Sequence, residues 1–109
     1  MFTCCPSLCS CCKPPGKEWT EYSMGDEGFY YYKGEDVNGS VWGSGPYTGD
    51  SHLILAAIHA GVVEKGKSGV QIIKVTKAPG CNEYTGTTAN GVSTSSYGSY
   101  HSSMTLSKM

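Results

Sequence analysis

Six cysteines and three histidines are the residues whose numbers and spacing first suggest ligation, nucleophilic attack or proton exchange near neutral pH. Cys4, Cys5, Cys9, Cys11 and Cys12 crowd into the first dozen residues, and Cys81 stands apart. Bridges inside such a cluster would close almost no loop and so would constrain little of the unfolded chain. The pattern reads as reduced thiols. A zinc site normally sets two C-x-x-C-like pairs apart by a loop; this cluster has C-x-x-x-C and C-x-C spacings and no nearby His. Metal is therefore not expected. Thiols near a terminus are also acceptors for S-acylation, although neither a polybasic run nor an amphipathic helix accompanies them.

His52, His59 and His101 are the ready acid–base groups. His52 and His59 are seven residues apart, too far for the i, i+4 pair of a helical zinc site. "GDSHL" contains Asp50, Ser51 and His52 side by side, but sequence neighbours point apart and cannot form a relay. No H-E-x-x-H, nucleophile elbow or phosphate loop occurs, and no catalytic residue or cofactor is assigned. Gly43, Gly45 and Gly49 lack the strand and helix that a dinucleotide loop needs.

The elements that would position these residues follow from composition and pattern. With 109 residues the chain has material for one domain. A net charge of −1 and no basic patch speak against nucleic acid as partner. Charged residues make up 16%, below the roughly 25% of an average soluble protein, while Gly, Ser, Thr and Tyr are abundant. No run approaches the ~20 apolar residues of a membrane span. "MFTCCPSLCSCCKPPG" lacks the basic start and apolar run of a secretory signal, so a cytoplasmic location is expected.

"KPPG" closes a cysteine-rich arm, residues 1–16, and residues 17–109 form the domain. "KEWTEYSMGDEGFYYYK" reads as a hairpin with Trp19 and Tyr22 on one arm and Phe29 to Tyr32 on the other. Asn38-Gly39 reads as a turn. Leu53 to Val63 is apolar all round, which predicts a buried helix with Asp50 or Ser51 as N-cap and Gly61 ending it. "GVQIIKVTK" predicts a strand with Ile73 and Val75 on one face, "APGCNEYTG" a turn, and Asn90-Gly91 a second turn before an irregular strand region. The fold class is α+β: a single central buried helix wrapped by irregular antiparallel sheets.

The strings "VWGSGPYTGDSHLILAAIHAGVV", "GVQIIKV" and "YTGTTANGVSTSSYG" together resemble the LCCL domain, the module of cochlin and horseshoe-crab clotting factor C, over about residues 41–103. The resemblance is carried by Trp42-Gly43, Tyr47-Thr48, Asp50-Ser51, Ala56 to Gly61 with His59 inside it, Tyr84-x-Gly86, Asn90-Gly91-Val92 and Tyr97-Gly98. It implies a central helix within two irregular sheets. It also implies a disulfide cysteine two residues before "AAIHAG", where this chain has Ile54. That departure again points inside the cell. His59 is expected as a neutral, buried imidazole with both nitrogens bonded to backbone or to Ser/Thr hydroxyls, a structural residue rather than a ligand.

The function expected is that of a non-enzymatic interaction module, a small structural subunit docking into a larger intracellular assembly through other protein subunits. A cytoskeletal or ciliary scaffold is one suitable home. The alternative is carbohydrate or lipopolysaccharide binding of the secreted LCCL type, with Trp19, Tyr30 and Tyr32 as exposed rings for stacking on a glycan.

Overall fold

The computed structural model describes residues 16–24 and 26–108. The cysteines of the amino-terminal arm, and whether they are free, acylated or metal-bound, lie outside the described residues. In chain order the elements are β1 (Lys17–Glu18), a 3-10 turn (Trp19–Glu21), β2 (Gly28–Tyr32), β3 (Tyr47–Thr48), α1 (Leu53–His59), β4 (Gln71–Cys81), β5 (Thr88–Ala89), β6 (Val92–Ser93) and β7 (Tyr100–Lys108). One sheet has the order β1-β2-β4-β7-β3, and β5-β6 forms a separate ribbon.

Strand periodicity builds the inner face of the large sheet. Successive side chains alternate between faces, so Tyr30 and Tyr32 of β2 point the same way as Ile73 and Val75 of β4. Tyr30 stands opposite Ile73 in the antiparallel register. These four residues are 0–2% exposed, as is Met104 of β7 at 1%. They form one cluster with Leu53, Ile54, Ala56, Ala57 and Ile58 of α1. Each such aliphatic side chain contributes about 1.5–3 kcal/mol on burial, and the seven-residue helix depends on that packing, being too short to stand alone.

Both helix ends are tied off by short-range hydrogen bonds. His52 is the N-cap: its Nδ1 accepts from the Leu55 N–H at 3.3 Å. Neither Asp50 nor Ser51 caps. Asp50 is exposed, and Ser51 is buried with its hydroxyl accepting from the Trp42 N–H at 3.0 Å and paired with Thr48 Oγ1 at 2.7 Å. The helix ends at His59, earlier than the apolar run suggests. Gly61 takes φ +78°, its N–H donates to the Ile58 carbonyl at 3.0 Å, and the Val62 N–H reaches the Ala57 carbonyl at 2.9 Å. That pair of bonds is a Schellman termination. Asn90 Nδ2–H then donates to the His59 carbonyl at 3.0 Å. Asn90, at φ 51°, and Gly91, at φ +78°, make the two-residue turn joining β5 to β6, as expected.

Four other expectations are corrected. Trp19 and Tyr22 do not form a hairpin arm, because β1 runs parallel to β2 and pairs Lys17 with Tyr30. The antiparallel side of β2 is taken by β4, so the sheet is mixed rather than wholly antiparallel. Asn38-Gly39 is not a turn; a Cβ at Gly39 would come within 2.4 Å of the His52 ring, and close approach is its role. "APG" does not turn either. β4 continues through Pro79 and Gly80 to Cys81, where β7 is its strand neighbour on one side and β2 has already ended. A proline is tolerated at such an edge.

Candidate functional site

His59 is 5% exposed and lies at the end of α1 where three elements meet. Its Nδ1 is 2.8 Å from the Tyr47 hydroxyl on β3, and its Nε2 is 2.9 Å from Thr87 Oγ1 beside β5. The Tyr47 ring meets the imidazole edge-on at 5.6 Å. Both partners are hydroxyls that donate or accept, so either neutral tautomer is satisfied. One partner is the expected Thr hydroxyl; the other is a phenol. The Thr87–His59–Tyr47 order has the connectivity of a nucleophile, base and orienting group. Burial raises the Tyr47 phenol above its ordinary value, keeping it uncharged, so it offers a developing imidazolium none of the charge that a carboxylate supplies. The knot therefore fastens helix, β3 and the β5-β6 ribbon together.

Beside this knot opens a cleft of about 450 Å³ lined by Ser44, Gly45, Ala60, Ala89, Thr105 and Leu106, with His59 at its base. β7 forms the cleft's far wall. It is paired with β4 along nearly its whole length, but on its other side β3 meets it only at Ser103 and Met104.

Two of the three rings expected to stack on a glycan are not available for it. Tyr30 and Tyr32 are 1% and 0% exposed and belong to the core. They sit on the inner face because that is the face β4 presents Ile73 and Val75 on. Trp19 is half-buried, its ring 5.1 Å from that of His52, and its indole N–H donates to Glu35 Oε2 at 3.0 Å. That bond, with smaller contributions from backbone donors and Lys33, holds the Glu35 carboxyl below the usual range.

Exposed aromatic surface gathers elsewhere. Trp42, Tyr97 and Tyr100 stand in a row with ring centroids 6.3 and 6.0 Å apart, and His101 lies 4.6 Å from Tyr100. Tyr97 is 46% exposed. The backbones beneath are fixed: Trp42 bridges Ser95, Tyr97 bridges Tyr84, and Tyr100 opens β7 opposite Cys81. Asp50 stands beside them. Desolvation and then the Asp50 carboxylate push the Tyr100 phenol up. Trp42 and Asp50 belong to the first of the family-like strings and Tyr97 to the last, but no local pattern brings Tyr100 to them, since adjacency here is made by the β4-β7 register.

The motif residues thus divide. Tyr47, Ser51, His59, Gly61, Asn90 and Gly91 build the interior or its turns, whereas Trp42, Asp50 and Tyr97 line the surface. A family model for the LCCL domain matches residues 31–104, most of the chain, beginning already at Tyr31 in β2. The protein belongs to the LCCL domain family, a family of binding modules. A search of curated proteins finds no match. Among the described residues, no helix is long and apolar enough to cross a membrane. No group of three or more His, Cys, Asp or Glu among them could hold a metal ion.

Proposed function

We propose that the chain is a non-enzymatic docking subunit that seats on other protein subunits of a larger intracellular assembly, a cytoskeletal or ciliary scaffold being a suitable setting. The observation that carries this reading is the open flank of β7 over Thr105 to Lys108, adjoining the cleft at Ala60, Ala89 and Leu106. An unpaired strand edge offers backbone donors and acceptors to an extended segment of a partner, and a neighbouring cleft receives its side chains. Two features support an intracellular setting. Ile54, in the place of the family's helical cysteine, is fully buried and apolar, and Cys81 carries a free thiol.

Density-gradient sedimentation of cell lysate and of medium tests the proposal. Co-sedimentation with a large particle, lost on Ala89→Arg in the cleft wall, is the expected result. Recovery as a free small protein in the medium would overturn it. That outcome would favour the rival reading, a carbohydrate or lipopolysaccharide ligand of the secreted LCCL type.

A further inference from the structure

Independently of the docking edge, we propose that Trp42, Tyr97, Tyr100 and Asp50 form an aromatic cage for a methylated ammonium group. These residues and Thr48 line a partly open cavity of about 110 Å³, equivalent to about four water molecules at roughly 30 Å³ each. A trimethylammonium head fits such a space. Successive ring planes are inclined at 61° and 72°, edge-to-face rather than in a parallel stack, and all three rings contribute to the cavity lining.

The ligand's charge follows from the walls. The face of an aromatic ring carries the negative lobe of its quadrupole, and rings around a desolvated cation attract it more strongly the less water competes. Asp50 adds a formal negative charge at the rim. Neither of the two ion pairs among the described residues involves it, so no cation among those residues competes for the place. Tyr100 is held in place through its hydroxyl, which lies 2.8 Å from Met24 Sδ and in hydrogen-bonding reach of the Asp50 carboxylate. Thr48, at the floor, is 1% exposed and already bonded to Ser51, so it offers an incoming group no strong donor. Those features select against anions and against ligands that need many hydrogen bonds. A quaternary ammonium needs none.

The same head group occurs on choline-type small molecules and on trimethylated lysine side chains. The test is a titration of the full chain at pH 8 with choline, with Nε-trimethyllysine and with 3,3-dimethyl-1-butanol, the uncharged isostere of choline, followed by indole NMR shifts. Choline and trimethyllysine should bind, and the isostere roughly ten-fold more weakly. The tighter of the two cations identifies the source, and either order supports the cage. Tyr97→Ala and Asp50→Asn should each weaken choline binding about ten-fold. Both positions are exposed enough to leave the melting temperature nearly unchanged, so lost binding in a folded variant is readable. Equal binding of choline and its isostere, unchanged binding in Asp50→Asn, or binding of neutral sugars without choline would overturn the proposal.

Discussion

A histidine's meaning depends on what its two nitrogens touch, and here two of them close opposite ends of one helix. Truncating His59 strands the Tyr47 and Thr87 hydroxyls around a small void. His59→Ala should cost about 1–3 kcal/mol in urea unfolding. A variant that unfolds at the native denaturant midpoint would show that the knot contributes nothing. His52 acts differently, since capping uses its unprotonated Nδ1 as an acceptor. Desolvation in the folded state lowers its pKa, against a smaller opposing contribution from its own backbone. The unfolded chain therefore binds that proton more readily, and the stability His52 contributes is complete above the ordinary imidazole value of about 6.5. It is lost as pH falls through that value toward the lower folded-state pKa. His52→Asn keeps an N-cap acceptor without a titrating ring. Wild type should lose stability relative to this variant on acidification from about pH 7.5 to 5, and parallel profiles would contradict the assignment.

At the scale of elements, α1 is short and owes its existence to its caps and its apolar face. Gly61→Ala places a side chain in a left-handed conformation, although its Cβ would meet only Asn90 Nδ2, at an ordinary 3.7 Å. The penalty is conformational, about 1 kcal/mol, and should appear as a lowered melting temperature with the binding surfaces intact. Ile54→Ala empties the centre of the core. A loss of about 2–5 kcal/mol is expected from equilibrium unfolding; a loss well under 1 kcal/mol would mean the helix is not seated on the sheet as described.

For the molecule as a whole, packing rather than covalent bridging holds the sheet and helix together among the described residues. Cys81 is a free, half-buried thiol 3.7 Å from the Ser103 hydroxyl. A strong reductant should therefore leave the melting temperature unchanged. A large drop would reveal a bridge to Cys81 and remove a support for the intracellular reading. Whole-molecule geometry also separates two surfaces. The open β7 flank lies beside the His59 cleft, and the Trp42–Tyr97–Tyr100 cage is built where β7 begins. Variants at Ala89 and at Asp50 should accordingly act independently, each affecting its own ligand, because the positions share no partner.

Several features were legible in the residues themselves. The all-round apolar run specified a buried helix, Gly61 its end, Asn90-Gly91 a hairpin turn, and the alternation of Ile73 and Val75 the inner face of a strand. Each follows from a local rule of period or backbone freedom acting over a few residues. The motif spacing likewise identified the family and marked His59 as interior. What the residues did not reveal was decided by long-range pairing. The "FYYY" run does not show which rings point inward; the register of β2 on β4 buried Tyr30 and Tyr32 and left Phe29 outside. His52 became the cap because Gly39, thirteen positions earlier, leaves room for its ring. Tyr100 joined Trp42 and Asp50 because β7 starts opposite Cys81, at the far end of β4. Sequence fixes which residues have the chemistry to line a site, but closing loops tens of residues long determines which of them meet, and that choice is made by the packing energy of the whole sheet.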